Sequence, residues 1–172
     1  MPDSQKQEPS QSFPPVARED ARILVLGSLP GQRSLQEQQY YAHPQNAFWR
    51  IMGELTGAEG DYRQRCEMLV EQGIALWDVI AESVRPGSMD SDIRMDTAKP
   101  NDFAGLFRAC PRISVVCFNG QKAAAMFERF VGLESFAVRF ETLPSTSPAF
   151  AAMPYEEKLA RWKKALQQGR NS

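Results

Sequence analysis

The chain has 172 residues, of which 42% are hydrophobic and 24% are charged, and its 20 basic residues almost balance 21 acidic ones. This length predicts one domain, large enough to fold around its own core without a metal or a disulfide. The net charge of −1 excludes a bulk polycation, so any nucleic-acid binding would depend on a local patch. Three cysteines fit a reducing compartment and are too few for a four-thiolate cluster. One histidine is too few for a His-rich zinc site. We expect no metal, no cofactor, no membrane span and a cytoplasmic location.

The amino-terminal residues differ in composition from the rest of the chain. Residues 1–18 are rich in Ser, Gln, Pro and Glu and show no apolar period, which predicts a mobile tail before a single domain over residues 19–172. A continuous apolar run at residues 21–27 predicts a strand that is buried on both faces. Proline and glycine interrupt residues 28–45, so this segment is not expected to form one regular element.

Helices and strands alternate along the remainder of the chain. Helical periodicity and polar caps indicate the helices, and short apolar runs indicate the strands. This alternation predicts an α/β fold with a mainly parallel four-stranded sheet that helices cover on both faces. The predicted helices are 46–55, 62–72, 102–110, 121–130 and 155–168, and the predicted strands are 21–27, 74–80, 113–118 and 135–143.

The carboxyl ends of the predicted strands are the place to look for chemistry, because ligands bind beyond that edge of a parallel sheet. The first strand ends in GSLPG at residues 27–31. This string is too short for a phosphate loop, and it lacks the third glycine of a dinucleotide fingerprint. A Gly-Pro turn that closes a buried strand is the alternative. A serine hydrolase would need Gly-x-Ser-x-Gly, whereas Ser28 directly follows Gly27. At the third strand we interpret Asn119 as a turn residue, with a pocket wall as the alternative.

A second string, YYAHPQNAFW at residues 40–49, precedes a predicted helix. Aromatic rings in a polar loop can form a platform on which a nucleic-acid base stacks, a contact worth about 1–3 kcal/mol. Asn46 lies at the helix start, where backbone N–H groups suit a developing negative charge. Alternatively, Asn46 is a plain N-cap and Phe48 and Trp49 belong to the core. We interpret His43 as a residue that organises the loop rather than as a proton donor.

A third string, LPSTSPA, follows at residues 143–149, and the three strings in this order resemble the uracil-DNA glycosylase superfamily. The similarity is greatest to its DNA-deoxyinosine (hypoxanthine-DNA) glycosylase branch, a relative of the mismatch-specific uracil-DNA glycosylases. The resemblance covers residues 22–166 and implies a three-layer α/β/α sandwich. It also implies an enzyme on double-stranded DNA that hydrolyses the N-glycosidic bond of a flipped deaminated base. We expect a monomer, and a monofunctional enzyme because no Lys lies where a Schiff-base lyase would need one. Hypoxanthine is the expected base, with uracil or xanthine as alternatives.

The resemblance also implies roles for single residues. Leu29 stands where mismatch-specific members have an asparagine that positions the attacking water, so in this branch Asn46 takes over as the catalytic residue. Tyr41 falls where the family stacks an aromatic ring on the flipped base. Ser145 replaces the His or Asn of the second motif, the loop that probes the minor groove. The implied base-binding residues are Gly27, Ser28, Leu29, Tyr41 and Asp78, and the implied DNA-binding residues are Ser145, Thr146, Ser147, Pro148 and Ala149.

Asp78 ends the second predicted strand, where several branches of the superfamily have an asparagine that hydrogen-bonds the base edge. An ionised carboxylate accepts hydrogen bonds and cannot donate them, so Asp78 would accept the ring N–H of hypoxanthine. A turn or cap aspartate is the alternative. Two further functions stay open. The substitutions at Leu29 and Ser145 suit a non-catalytic reader of damaged or single-stranded DNA, and Ser28 suits a small-molecule hydrolase.

Overall fold

The structure is a computed structural model that describes residues 8–86 and 89–171. The strands are β1 (Ser10–Gln11), β2 (Ile23–Gly27), β3 (Ile74–Asp78), β4 (Ile80–Ser83), β5 (Lys99–Pro100), β6 (Val115–Asn119) and β7 (Arg139–Leu143). The helices are α1 (Gln32–Glu37), α2 (Phe48–Thr56), α3 (Tyr62–Glu71), α4 (Phe103–Ala109), α5 (Gln121–Phe130) and α6 (Tyr155–Arg170).

A four-stranded sheet with strand order β3-β2-β6-β7 forms the centre of the fold. All three strand pairs are parallel. Strands β2, β3 and β6 are buried along their whole length, as expected for continuous apolar runs in a sheet covered on both faces. The register places Gly27 beside Asp78 and Asn119 beside Leu143, so the strand ends form one edge. The predicted α/β fold with a mainly parallel four-stranded sheet is confirmed.

Helices pack on both faces of this sheet. Val115 and Phe118 lie an odd number of positions apart on β6, so their side chains point to opposite faces. Gly169 of α6 lies so close over Val115 that a Cβ on the glycine would be 2.9 Å from Val115 Cγ1. On the other face, Phe127 of α5 contacts Phe118, with ring centroids 5.3 Å apart. The sheet is therefore the middle of three layers. In the part of the chain that the structure describes, no helix is long and apolar enough to cross a bilayer.

Packing against the sheet begins nearer the amino terminus than the sequence predicts. Strand β1 pairs antiparallel with β4, and Val16 forms a bridge to Leu76 of β3. The indole N–H of Trp77 donates a hydrogen bond of 3.0 Å to the carbonyl oxygen of Phe13. Residues 10–18 therefore pack against the sheet, and the domain begins before the predicted boundary at residue 19. The rest of the predicted mobile tail, residues 1–7, lies outside the described residues. Composition misses the packing of residues 10–18 because their backbone, rather than an apolar period, makes most of these contacts.

Several other predicted boundaries differ from the structure, and the last strand, predicted at 135–143, is Arg139–Leu143. Strand β3 ends at Asp78 rather than at Ile80, and after Val79 the chain enters β4. Residues 82–101, which lie outside the predicted helices and strands, contain part of a small antiparallel sheet of strand order β1-β4-β5. Helix α1 occupies six residues of the segment 28–45, which as expected does not form one regular element. The apolar run at 74–80 shows that this segment is buried. It does not show that β3 pairs with β2 whereas β4, which follows it, pairs with β1 and β5.

Candidate active site

A cavity of about 470 Å³ opens at the carboxyl edge of the central sheet. Its volume lies within the range of small-molecule clefts, and its position is the one expected for an open parallel sheet. The structure brings all the residues predicted for the site into the lining of this one cavity. They are Gly27, Ser28, Leu29, Tyr41, Asn46, Asp78, Ser145, Thr146, Ser147, Pro148 and Ala149.

Gly27, Asp78 and Tyr41 form what we call the floor of the cavity. A Cβ atom at Gly27 would lie 2.7 Å from Asp78 Oδ1 and 3.0 Å from the Tyr41 hydroxyl oxygen. Glycine is therefore the residue that lets the carboxylate and the phenol converge on one point. Asp78 is only 3% exposed. Burial raises the pKa of the neighbouring Tyr40 phenol, and the charge of Asp78 adds to that rise, so Tyr40 stays neutral.

Tyr41 reaches the floor through an unusual backbone conformation. Its φ of 55° lies in the left-handed region, which a bulky residue rarely adopts. The ring packs on Phe48 with the centroids 4.2 Å apart and the planes inclined by 32°. Phe48 is fully buried, as the core interpretation predicts. A constrained backbone and a rigid neighbour hold the Tyr41 ring at the cavity.

Asn46 lies immediately before helix α2. Its Oδ1 accepts a hydrogen bond of 3.0 Å from the N–H of Phe48. The helix begins at Phe48, two residues later than the predicted range 46–55, and its N-cap is Ala47 rather than Asn46. The Asn46 side chain still binds the helix start. The second lone pair of Oδ1 and the amide N–H groups can still orient a water molecule. His43 Nδ1 accepts from the N–H of Gln45 at 3.1 Å, which is the loop-organising contact expected of it.

The loop that follows β7, residues 144–154, has a buried part and an exposed part. Thr146 is 1% exposed, and its hydroxyl and its N–H both bond the Asn119 amide at 2.9 Å. Thr146 is predicted to bind DNA, but its side chain points into the protein, where its hydroxyl and N–H are hydrogen-bonded to Asn119. Asn119 is the last residue of β6 and a wall of the cavity, which corrects its interpretation as a turn residue. Pro148, Ala149 and Phe150 are exposed.

Sequence reasoning missed two buried cations behind these loops. Arg85 donates hydrogen bonds to the carbonyl oxygens of Leu29, at 3.3 Å, and Pro30. Lys158 of α6 donates a bond of 2.7 Å to the carbonyl oxygen of Phe150, and burial lowers the pKa of its ammonium group. Both cations bind backbone carbonyls that are distant along the chain, so no local sequence pattern reveals them. The Leu29 side chain itself is largely buried.

The three cysteines lie in or beside the packed layers as free thiols. Cys110 and Cys117 are buried, and Cys66 is half-buried. Burial raises the pKa of the Cys117 thiol to about 12, so this group stays protonated and unreactive near neutral pH. Within residues 8–86 and 89–171, no three His, Cys, Asp or Glu side chains are grouped as ligands for a metal ion.

Comparisons with known proteins cover the cavity and the whole sheet. The family described as the Uracil DNA glycosylase superfamily matches residues 14–168. A protein of Methanosarcina acetivorans named hypoxanthine DNA glycosylase is 39% identical over 142 residues, which are 81% of this chain and 87% of the relative. A Methanosarcina barkeri protein of the same name is 41% identical over 116 residues, 66% of this chain and 72% of the relative. A solution NMR structure of a candidate uracil DNA glycosylase from Methanosarcina acetivorans has a TM-score of 0.80 and 34% identity, and the match covers 94% of this chain and 99% of the other.

Proposed function

The chain belongs to the uracil-DNA glycosylase superfamily, and we propose that this DNA glycosylase releases hypoxanthine from double-stranded DNA, acting as a monomer. The observation that carries the choice of base is the floor, where the Asp78 carboxylate and the Tyr41 hydroxyl converge beside Gly27. The two Methanosarcina relatives named hypoxanthine DNA glycosylase support the same base.

The Asp78 carboxylate distinguishes adenine from its deamination product. Adenine presents a ring nitrogen lone pair at N1, whereas hypoxanthine presents an N–H group there beside a carbonyl. An ionised carboxylate accepts from that N–H and repels the lone pair. A hydrogen bond to a charged group is worth about 1.5–3 kcal/mol, and adenine cannot form this bond with Asp78 through its N1. Guanine shares the N1–H, so its exclusion depends on the energy needed to open a G·C pair.

A base inside a duplex cannot reach this floor unless it leaves the stack. Glycosylases rotate the target nucleotide out of the helix, and a weakened pair such as one with hypoxanthine opens at a lower energy. The cavity of about 470 Å³ has room for a purine. Tyr41 lines that cavity and offers an aromatic ring for the flipped base, a contact worth about 1–3 kcal/mol.

Bond cleavage places negative charge on the leaving base and positive charge on the sugar. Backbone N–H groups in the loop at residues 27–31 suit the negative charge. The Asn46 amide is oriented by its bond from the Phe48 N–H. We propose that the second lone pair of its Oδ1 and its amide N–H groups orient the water that attacks the sugar carbon.

The test is base release from duplexes that each carry one hypoxanthine, uracil, xanthine or ethenoadenine. We expect hypoxanthine to be released fastest, and strand cleavage to require alkali after incubation, since the enzyme is monofunctional. Tight binding to these duplexes without release would favour a non-catalytic reader of damaged DNA. Covalent labelling of Ser28 by a phosphonate would favour a serine-type hydrolase.

A further inference from the structure

Thr146 connects three separate segments of the site. Its hydroxyl accepts from Asn119 Nδ2 and its N–H donates to Asn119 Oδ1, each at 2.9 Å. Its carbonyl oxygen accepts a hydrogen bond of 3.0 Å from the N–H of Ala47. We call these residues, Asn119, Thr146 and Ala47, the junction. It binds the end of β6, the loop after β7 and the start of α2 to one another.

The junction reaches the residue to which we assign the attacking water. Ala47 directly follows Asn46, so the bond from Ala47 to Thr146 fixes the backbone on one side of Asn46. The bond from the Phe48 N–H fixes the Asn46 side chain. Because β6 is an interior strand of the sheet, Asn119 gives both loops a rigid reference.

The contact between the loop and the strand end is close. Gly120, next to Asn119, has a φ of 97°, and a Cβ there would lie 3.1 Å from Ser145 Cβ. The N–H of Gly120 donates a bond of 3.0 Å to the carbonyl oxygen of Leu143. The loop after β7 is therefore in close contact with the end of β6 at the residues next to the Asn119 amide.

We propose that Asn119 is a positioning residue for base excision: through Thr146 it sets the position of Asn46 relative to the sugar. This inference rests on the proposed function, because it takes Asn46 as the residue that orients the water. Asparagine suits the role because one amide offers both the acceptor for the Thr146 N–H and the donor for its hydroxyl. Since a displacement of about 1 Å at a reacting centre can lower a rate about 100-fold, loss of the junction should slow excision strongly.

The first test is a double-mutant cycle between Asn119 and Asn46. In the wild-type background, Asn119→Leu should lower the single-turnover release of hypoxanthine by about 10- to 100-fold. In an Asn46→Ala background the same change should lower the residual rate by less than about threefold, because the path through Asn46 is already broken. Equal losses in both backgrounds would overturn the inference.

A second pair of variants covers the case in which Asn119→Leu does not fold. Thr146→Val keeps the shape of the side chain and removes the hydroxyl, so excision should slow. Thr146→Ser restores the hydroxyl, so excision should recover. A rate for Thr146→Val equal to that of the wild type would contradict the role of the junction.

Amide hydrogen exchange tests the junction without any activity. The N–H groups of Thr146 and Ala47 should be protected in the wild type and exchange faster in Asn119→Leu. The matched control is Asn101→Leu, since Asn101 also bonds a strand end, at the carbonyl oxygen of Asp78, but lies outside the junction. If no duplex loses a base, the proposed function fails. The hydrogen-exchange rates of Thr146 and Ala47 still show whether Asn119 holds the junction together. If Ala47 exchange is unchanged in Asn119→Leu, the junction does not hold Asn46 and the inference is wrong.

Discussion

The loops after β2 and after β7 frame the same cavity and are built in opposite ways. After β2, residues 28–30 are all buried, and the floor beside them has no space for even one added carbon at Gly27. After β7, Thr146 is buried at the base of the loop, and Pro148, Ala149 and Phe150 form an exposed tip. On the proposed function, we expect atoms fixed in the protein to recognise the base and side chains that extend into solvent to contact the duplex.

The largest expected effect is at the floor. Gly27→Ala places a methyl group 2.7 Å from Asp78 Oδ1, so the carboxylate or the strand end must move. We expect hypoxanthine release to fall by about 100-fold or more, as for other misplaced reacting groups. The matched control is Gly31→Ala in the same loop, where a Cβ meets nothing within 4 Å. Equal losses in single-turnover assays of both variants would mean that the floor is not the recognition element.

The second prediction concerns the chemistry of the floor. Asp78→Asn keeps the size of the side chain and adds a donor, so the hypoxanthine N–H meets either an acceptor or another N–H group. Release of hypoxanthine should fall by about tenfold or more, which corresponds to about 1.4 kcal/mol. Ethenoadenine lacks that N–H and is the control substrate. If wild-type protein releases both bases equally fast, or the variant slows both equally, Asp78 is a structural residue.

The third prediction separates the ring of Tyr41 from its hydroxyl. Tyr41→Ala should weaken binding to hypoxanthine DNA by about tenfold, since stacking is worth about 1–3 kcal/mol per base. Binding to undamaged duplex should change little, because no base is flipped there. Tyr41→Phe, which keeps the ring, should bind damaged DNA nearly as well as the wild type. Equal weakening on both duplexes, measured by fluorescence anisotropy, would make Tyr41 a core or backbone-contact residue.

The smallest expected effect is at the exposed tip. Phe150 is 38% exposed, and its carbonyl oxygen accepts a hydrogen bond from Lys158. On the proposed function, we expect its ring to fill part of the gap left by the flipped base. Phe150→Ala should slow release by about three- to tenfold, because flipping costs a few kcal/mol and the ring offsets part of it. Leu133→Ala is the matched control, since Leu133 is 37% exposed and lies before the start of β7, away from the cavity. If Phe150→Ala and Leu133→Ala slow base release equally, the exposed tip does not assist base flipping.

The sequence predicts the centre of the fold well because burial on both faces leaves a direct signal. The apolar runs of β2, β3 and β6 and the helix Gln121–Phe130 are found where they were expected. The family resemblance read from three short strings is confirmed by a match over residues 14–168. Strand β1 was missed because a two-residue pairing depends on backbone groups, which any sequence carries.

The candidate site divides along the same line. Gly27 and Asp78 could be placed together in advance, because the ends of parallel strands meet at one edge. The pairing of Asn119 with Thr146 could not, since the two residues are 27 positions apart and have no periodic relation. Arg85 and Lys158 were hidden for a similar reason, because each binds a backbone carbonyl of a distant loop.

The central claim is that Asn46 orients the water that releases the base at this cavity, and Asn46→Ala tests it most directly. Single-turnover release of hypoxanthine should fall by about 100-fold or more, as when one preorganised polar group is removed from an active site. Affinity for the damaged duplex should stay within about threefold, and loss of one capping bond should lower stability by only about 1 kcal/mol. Gln45→Ala, at the exposed neighbouring position, is the control and should retain its rate. A fall in the Asn46→Ala rate of less than about threefold would contradict the assignment.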